Sequence, residues 1–355
     1  MNDLRIKAGK RAFEIVKDGG FNLDAVTAYF APAAGPRWLV SSGFDLTLMQ
    51  QGALGRKRPV LLAGVSAGAW RFAAWLQPEQ EKSYRALMKS YIGMTYRRKD
   101  TPETVLQSLI GIMNDYLEDD ALTFALENKR YRLAVITARS RNLVASDQPL
   151  IQKAGMGLCY ILNALSRSSI FHFTERVVFY NGPKPPAFCL RKDFQGRFIP
   201  FNEHNFKAAV LASGAIPLVV AGVRDIFEAP YGVYRDGGLT DYHLTMNYAP
   251  GDGELTLFLH HQERIIPGWL DKKLTNRRPP AEILDNVLMV FPTEQFVEKL
   301  PGGKIPDRED FLIFIDDPAT RIRNWWEAVE LSAHLGDQFL ELVASGRIRD
   351  AVEKM

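Results

Sequence analysis

A wholly apolar run, PVLLA at residues 59–63, is followed at once by a glycine-bracketed turn, GVSAG at residues 64–68. A second apolar run begins at Trp70 and ends at Leu76. An uninterrupted apolar run of this kind is typical of a strand buried on both faces, as in a parallel sheet. The sequence therefore predicts a strand, a tight turn and a helix in succession.

The same order of strand and helix recurs along the chain. Short apolar runs at residues 25–30 and 132–137 precede helical patterns at residues 39–48 and 152–165. A further strand pattern covers residues 255–260. This alternation predicts an α/β fold of three layers, α/β/α, in which helices cover both faces of a mostly parallel central sheet.

Two segments are expected to differ from this alternation. The start of the chain has the charged, amphipathic character of a helix that ends at Gly19 and Gly20. Residues 177–180 and 187–191 flank a proline-rich turn, which predicts an antiparallel pair of strands.

The last part of the chain has a different character from the rest. Proline-rich joints follow residue 264, and residues 320–352 form an amphipathic stretch. We therefore predict an α/β domain at residues 1–262 and a mainly helical C-terminal extension at residues 263–355 packed on it.

Composition narrows the classes of partner and compartment. A formal net charge of +3 over 355 residues is too small for a nucleic-acid-binding face. The chain has two cysteines and no secretory apolar region at its start, so a cytoplasmic location is expected. Short basic runs allow peripheral contact with anionic lipids, and no apolar stretch reaches the length of a membrane-spanning helix. No cofactor or metal is expected.

The turn at residues 64–68 fits the G-x-S-x-G pattern of a nucleophile elbow, and its position between strand and helix is the context that the pattern requires. Gly64 and Gly68 let the strand and the helix pass closely around Ser66. Ala67 follows the serine at the helix start, where backbone N–H groups point toward an oxyanion. The alternative is that Ser66 only caps the helix.

A serine nucleophile needs a base within hydrogen-bond reach, and histidine is the usual one. His260 and His261, at the end of a late strand, are the best candidates for a Ser-His-Asp triad. Asp236 is the stronger candidate because it ends a strand and precedes Gly237 and Gly238, which allow a tight turn.

These features resemble the patatin-like phospholipase family, whose members have a serine elbow, an Asp-Gly-Gly or Asp-Gly-Ala turn and no catalytic histidine. Residues 212–217 (ASGAIP) are similar to a small-residue segment of the family, in the expected order. The resemblance covers residues 25–245. It implies that Asp236 is the general base for Ser66 in a lipid acyl-ester hydrolase of the phospholipase or lysophospholipase type.

The resemblance also points to an oxyanion loop at residues 33–38 (AAGPRW), where the family has Gly-Gly-Gly-x-Arg-Gly. Gly35 and Arg37 match, whereas two glycines are replaced by alanine and the last by tryptophan. The resemblance implies that Gly35, Arg37 and Ala67 bind the oxyanion or the substrate. An acyltransferase would use the same site, and the altered loop leaves a third hypothesis, a catalytically idle protein that binds lipid or another protein.

Overall fold

The structure, a computed structural model, describes residues 3–18 and 20–355. A single sheet contains all of its strands. The strands are β1 Leu4–Ala8, β2 Val26–Ala31, β3 Val60–Val65, β4 Tyr131–Ser140, β5 Thr174–Tyr180, β6 Arg197–Pro200, β7 Val223–Arg224, β8 Val233–Asp236, β9 Leu255–Leu259, β10 Val287–Pro292 and β11 Val352–Lys354. Their order is β11-β1-β10-β9-β2-β3-β4-β5-β6, with β8 paired to β4 and β7 paired to β8.

Helices connect and cover these strands. They are α1 Lys10–Lys17, α2 Ser42–Gln50, α3 Ala67–Trp75, α4 Gln80–Gly93, α5 Pro102–Tyr116, α6 Leu122–Leu126, α7 Pro149–Leu165, α8 Ile170–Phe173, α9 Phe206–Ser213, α10 Ala281–Leu284, α11 Glu294–Val297, α12 Asp310–Ile313, α13 Pro318–Ser332, α14 Leu335–Ala344 and α15 Ile348–Ala351. Within the described ranges, none of them is long and apolar enough to cross a membrane.

The centre of the sheet is parallel. Neighbouring strands from β10 through β9, β2 and β3 to β4 all run in the same direction. Every residue of β9 and β10 is buried, which is the pattern of a strand covered on both faces. The predicted α/β fold with a mostly parallel central sheet and flanking helices is confirmed.

Each face of the sheet has its own core. Helices α2, α3, α4, α5, α9, α13 and α14 pack on one face, with Phe44 and Trp75 fully buried. On the other face Phe30 stacks on Tyr248 with ring centroids 4.9 Å apart. Helices α7 and α8 pack beside this second core, against Ala138 of β4.

A buried polar network fixes the helices of the first face. Asp45 of α2 forms an ion pair with Arg71 of α3 at 2.6 Å. The hydroxyl groups of Tyr29 and Tyr84 donate to the same carboxylate at 2.5 Å. Because the charge of Asp45 is paired and hydrogen-bonded on both oxygens, its complete burial is tolerated.

The start of the chain is not the single helix that its charge pattern predicts. Leu4, Ile6 and Ala8 are the buried residues of β1, which pairs antiparallel with β10. Burial of every second residue is the period of a strand, and the helix begins only at Lys10. The predicted helix end at Gly19 lies outside the described residues.

The predicted antiparallel pair at residues 177–180 and 187–191 is also wrong. Residues 187–190 form a 3₁₀ turn, and β5 pairs antiparallel with β4 and parallel with β6. Three prolines at positions 183, 185 and 186 lack the N–H group that strand pairing needs, so pairing resumes only at β6.

The C-terminal part of the chain is mainly helical and also completes the sheet. Helices α12 to α15 follow one another, while β10 inserts between β1 and β9 and β11 pairs with β1. The division into domains at residue 262 stays a prediction, and the strands beyond that residue belong to the same sheet as those before it.

Candidate active site

Ser66 occupies the turn between β3 and α3 in a left-handed conformation, with φ 55° and ψ −126°. A positive φ is strained for a residue that has a side chain, and such strain recurs at functional turns. A Cβ atom on Gly64 would lie 2.6 Å from the Cα of Ala69, and one on Gly68 would lie 2.2 Å from the Ala31 carbonyl oxygen. The turn therefore requires glycine two positions before and two positions after the serine.

Ser66 and Asp236, which are 170 positions apart, meet at the carboxyl end of the sheet. The Ser66 Oγ donates a 2.6 Å hydrogen bond to Oδ2 of Asp236. Strands β3 and β8 pair with successive parts of the same edge of β4, residues 131–136 and 137–140, so the carboxylate at the end of β8 meets the turn that follows β3. Both residues are buried, with 5% and 7% of their surface exposed, respectively.

The turn after Asp236 holds the carboxylate in place. The N–H group of Gly238 donates to Oδ1 at 2.7 Å, which leaves Oδ2 to accept from Ser66. A Cβ atom on Gly237 would lie 2.1 Å from the Ile136 carbonyl oxygen. These two glycines therefore have different roles, one as a hydrogen-bond donor and one as the point of close contact with β4.

Ser213 links the two motifs, a role that the sequence does not predict. Its Oγ accepts a 2.8 Å hydrogen bond from the N–H of Ser66 and donates a 2.7 Å bond to the carbonyl oxygen of Ile136. The N–H of Asp236 donates to the carbonyl oxygen of Ala215 at 2.9 Å. The small-residue segment at 212–217 was the only signal of this contact.

Burial raises the pKa of Asp236 to about 6, although the hydrogen bonds from Ser66 and Gly238 and the charges of Arg308 and Lys272 oppose the rise. Desolvation is the main cause because the ionised carboxylate loses its hydration. At neutral pH the group is mostly ionised, and it is more basic than an ordinary aspartate. Such a carboxylate accepts a proton from Ser66 more readily than a solvated one.

The histidines lie elsewhere. None lines the two cavities that reach Ser66. His260 and His261 pack with His243 in a buried cluster, in which burial lowers the pKa of His260 to about 3 and that of the other two well below the usual value. Across residues 3–18 and 20–355, no group of three or more metal-ligating side chains is arranged to hold a metal ion.

The loop at residues 33–37 borders the same site. Gly35 has φ +54°, a conformation that favours glycine, whereas Ala34 has φ −108°, which any residue adopts. Gly35 lines both cavities beside Ser66, and Ala67 lines the larger one. Arg37 is an ion-pair partner of Asp307 and donates to the Tyr242 hydroxyl at 3.3 Å, so it attaches the loop to the C-terminal part of the chain.

Two cavities meet at Ser66. The smaller one, of about 40 Å³, also contains Asp236 and three cationic side chains. The larger one, which we call the apolar groove, has a volume of about 710 Å³. Its apolar lining consists mainly of Trp70, Tyr91, Met94, Val105, Leu109, Ile216, Leu218, Phe311 and Leu312.

The comparisons with known proteins identify no family for this chain. No family model matches it, and no curated protein matches it. Among solved structures it is similar to VipD from Legionella pneumophila, with 11% sequence identity over 99% of this chain and 92% of VipD and a TM-score of 0.29. A similarity at this level carries no argument about function.

The close contact at Gly68 predicts that a glycine-to-alanine change lowers stability at this position and not at a glycine with open space around it. Gly68→Ala forces a Cβ atom against the Ala31 backbone, so the free energy of unfolding should fall by about 3 kcal/mol. Gly111→Ala is the control, because Gly111 lies inside α5 with open space around it, and this change should raise stability by about 0.5–1 kcal/mol. Urea unfolding measures both, and equal effects would contradict the packing described for the elbow.

Proposed function

We propose that this chain is a serine hydrolase that cleaves carboxylic esters of lipids through an acyl-enzyme on Ser66. The observation that carries the proposal is the 2.6 Å hydrogen bond from Ser66 Oγ to the buried carboxylate of Asp236, at a point where the apolar groove reaches the serine. A nucleophile hydrogen-bonded to a base beside a substrate-sized cavity is the arrangement that acyl transfer requires.

The reaction follows from the positions of these groups. Ser66 Oγ attacks the ester carbonyl carbon while its proton passes to Asp236. The N–H groups of Ala67 and Gly35 are the proposed donors to the oxyanion, since both residues line the groove beside the serine. As the tetrahedral intermediate collapses, Asp236 gives the proton to the leaving alkoxide. Water, activated by Asp236, then attacks the acyl-enzyme and releases the fatty acid and free Ser66.

The shape and lining of the apolar groove support a lipid acyl chain as the group that binds there. Trp70 is the first aromatic residue of α3 and faces the groove, with its Nε1 donating to the Val210 carbonyl oxygen at 2.9 Å. The other aromatic residues of that helix, Phe72 and Trp75, are fully buried in the core. The motifs that resemble patatin-like phospholipases support the same substrate class, a phospholipid or lysophospholipid.

An exposed apolar face on α7 supports peripheral contact with a membrane. Leu150, Leu158, Ile161 and Leu165 are 43–82% exposed on this helix, whose single charged residue is Lys153. Large apolar side chains in such a row are typical of a surface that binds another apolar phase.

This apolar face adjoins the rim of the groove. Gln152 of α7 accepts a 2.7 Å hydrogen bond from the N–H of Leu218. Leu218 and Val219 are partly exposed and line the apolar groove. We therefore infer that α7 lies against the lipid surface and that an acyl chain enters the groove past these two residues. The cytoplasmic location stays a prediction.

Labelling with a fluorophosphonate probe tests the catalytic pair. The wild-type chain should be labelled at Ser66, and Ser66→Ala should abolish the reaction. Asp236→Asn should slow labelling by about 100-fold or more, because the base is lost while the shape of the side chain is kept. His261→Gln is the control and should label normally. A folded wild-type chain that does not react would show instead a catalytically idle protein, and loss of labelling in His261→Gln would indicate a triad.

The raised pKa of Asp236 predicts the pH dependence of the reaction. The base acts only when it is ionised, so the rate constant for labelling should increase with pH, with a midpoint near pH 6, and level off above it. Below that midpoint the rate constant should fall about tenfold for each pH unit. The labelling rate constant of the wild type, measured from pH 4.5 to pH 8, gives this midpoint. A midpoint near 4 would show that the carboxylate is solvated.

Sedimentation with phospholipid vesicles tests the membrane face. Leu158→Glu combined with Ile161→Glu should reduce binding at least tenfold, since both changes place a charge on the exposed face of α7. Phe124→Glu is the matched control, because Phe124 is 52% exposed on α6. Helix α6 lies near the start of β4, whereas α7 follows the end of that strand. Equal loss of vesicle binding in the double variant and in Phe124→Glu would contradict a specific role for α7.

A further inference from the structure

Three cationic side chains line the small cavity beside the Ser66–Asp236 pair. They are Arg37, Lys272 and Arg308. Lys272 and Arg308 lie in the last third of the chain, beyond the residues that resemble any family motif. Of the described residues that line this cavity, Asp236 alone has a carboxylate.

These three cations differ in their partners. Arg37 forms an ion pair with Asp307. The Lys272 Nζ lies 4.5 Å from the ring centroid of Tyr242, and the Arg308 guanidinium lies 5.7 Å from that of Trp269. Among the described residues no side-chain ion pair or hydrogen bond engages Lys272 or Arg308. Two positive charges are therefore left without an anionic partner in the wall of the site.

The surroundings make the charge of Lys272 costly. Burial, together with the charges of Arg308 and Arg37, lowers the pKa of Lys272 to about 8, while Asp307 and Asp236 oppose the change. A negatively charged group placed between the cations would remove that repulsion and accept charge-assisted hydrogen bonds from both. The aromatic rings beside the two cations do not take up their N–H donors in ion pairs, so these donors are available to an anion.

We propose that Lys272 and Arg308 form an anion subsite, which binds a phosphate or carboxylate group carried by the substrate next to its scissile ester. This inference rests on the proposed hydrolase function and deepens it by adding a charge requirement. The acyl chain then occupies the apolar groove while the anionic group occupies the small cavity, and the ester lies at Ser66, where the two meet. Lipids with an uncharged head would leave the cations unpaired and bind less tightly.

Binding of ligands that contain no ester tests the subsite apart from catalysis. Octyl phosphate, octanoate and octyl glucoside share an eight-carbon chain and differ in charge. Calorimetry on the wild-type chain should give a Kd for octyl phosphate or octanoate at least tenfold lower than that for octyl glucoside. Lys272→Met and Arg308→Gln should each reduce this preference about tenfold, as expected for loss of a charged hydrogen bond. Lys273→Met, an exposed neighbour, should retain it.

The outcomes separate the subsite from the reaction. Preference for octyl phosphate over octanoate assigns a phosphate, and the reverse assigns a carboxylate. Equal binding of charged and uncharged ligands by the wild type would overturn the subsite, even where Ser66 reacts with the fluorophosphonate. Anion preference in a chain whose Ser66 does not react would keep the subsite and refute hydrolysis. Arg308→Gln removes an exposed side chain, and an unchanged Tm will show that both variants are folded.

Discussion

Close contact between backbone segments is the constraint on which the site depends. Around Ser66 the chain passes itself at Gly64, Gly68 and Gly237, where any side chain would collide with backbone atoms of a neighbouring segment. These contacts set the spacing of β2, β3, β4 and the turn after β8. The hydrogen bond between Ser66 and Asp236 joins two of these segments, and its length of 2.6 Å leaves little room for a shift in either.

The same burial that makes Asp236 basic also costs stability. Its pKa of about 6, compared with an ordinary value of 3.8, corresponds to about 3 kcal/mol for keeping the group ionised in the folded state. This contribution favours the folded state below about pH 4 and is lost as the pH rises through about 6, where the carboxylate ionises. The two large cores on the faces of the sheet offset that loss, so the site exists because the rest of the fold is stable enough to hold a strained serine and a desolvated carboxylate.

Features that depend on local sequence patterns are predicted correctly from the sequence. The strand, turn and helix around Ser66 and the glycines after Asp236 are short-range signals, and the structure places them together. The sequence does not predict the ion pair between Arg37 and Asp307 or the position of Lys272 at the site, because those contacts depend on how distant segments pack. Strand β10 corresponds to the apolar run VLMVFP, but this run lies in a segment whose proline-rich joints and amphipathic stretch favour a helical extension. The short β1 and β11 give no signal without their partners.

The pairing of β1 with β10 has a consequence for folding during synthesis. Strand β1 is synthesised before the other strands of the sheet, yet its neighbour β10 follows almost 280 residues later and also covers the open side of β9. Until then two strand edges have unpaired backbone groups, and such edges are prone to pair with other chains. The side chains Lys272 and Arg308 arrive in the same late segment. Assembly of the sheet and completion of the cavity beside Ser66 are therefore late events. A chain truncated before residue 292 has neither the complete sheet nor the complete cavity.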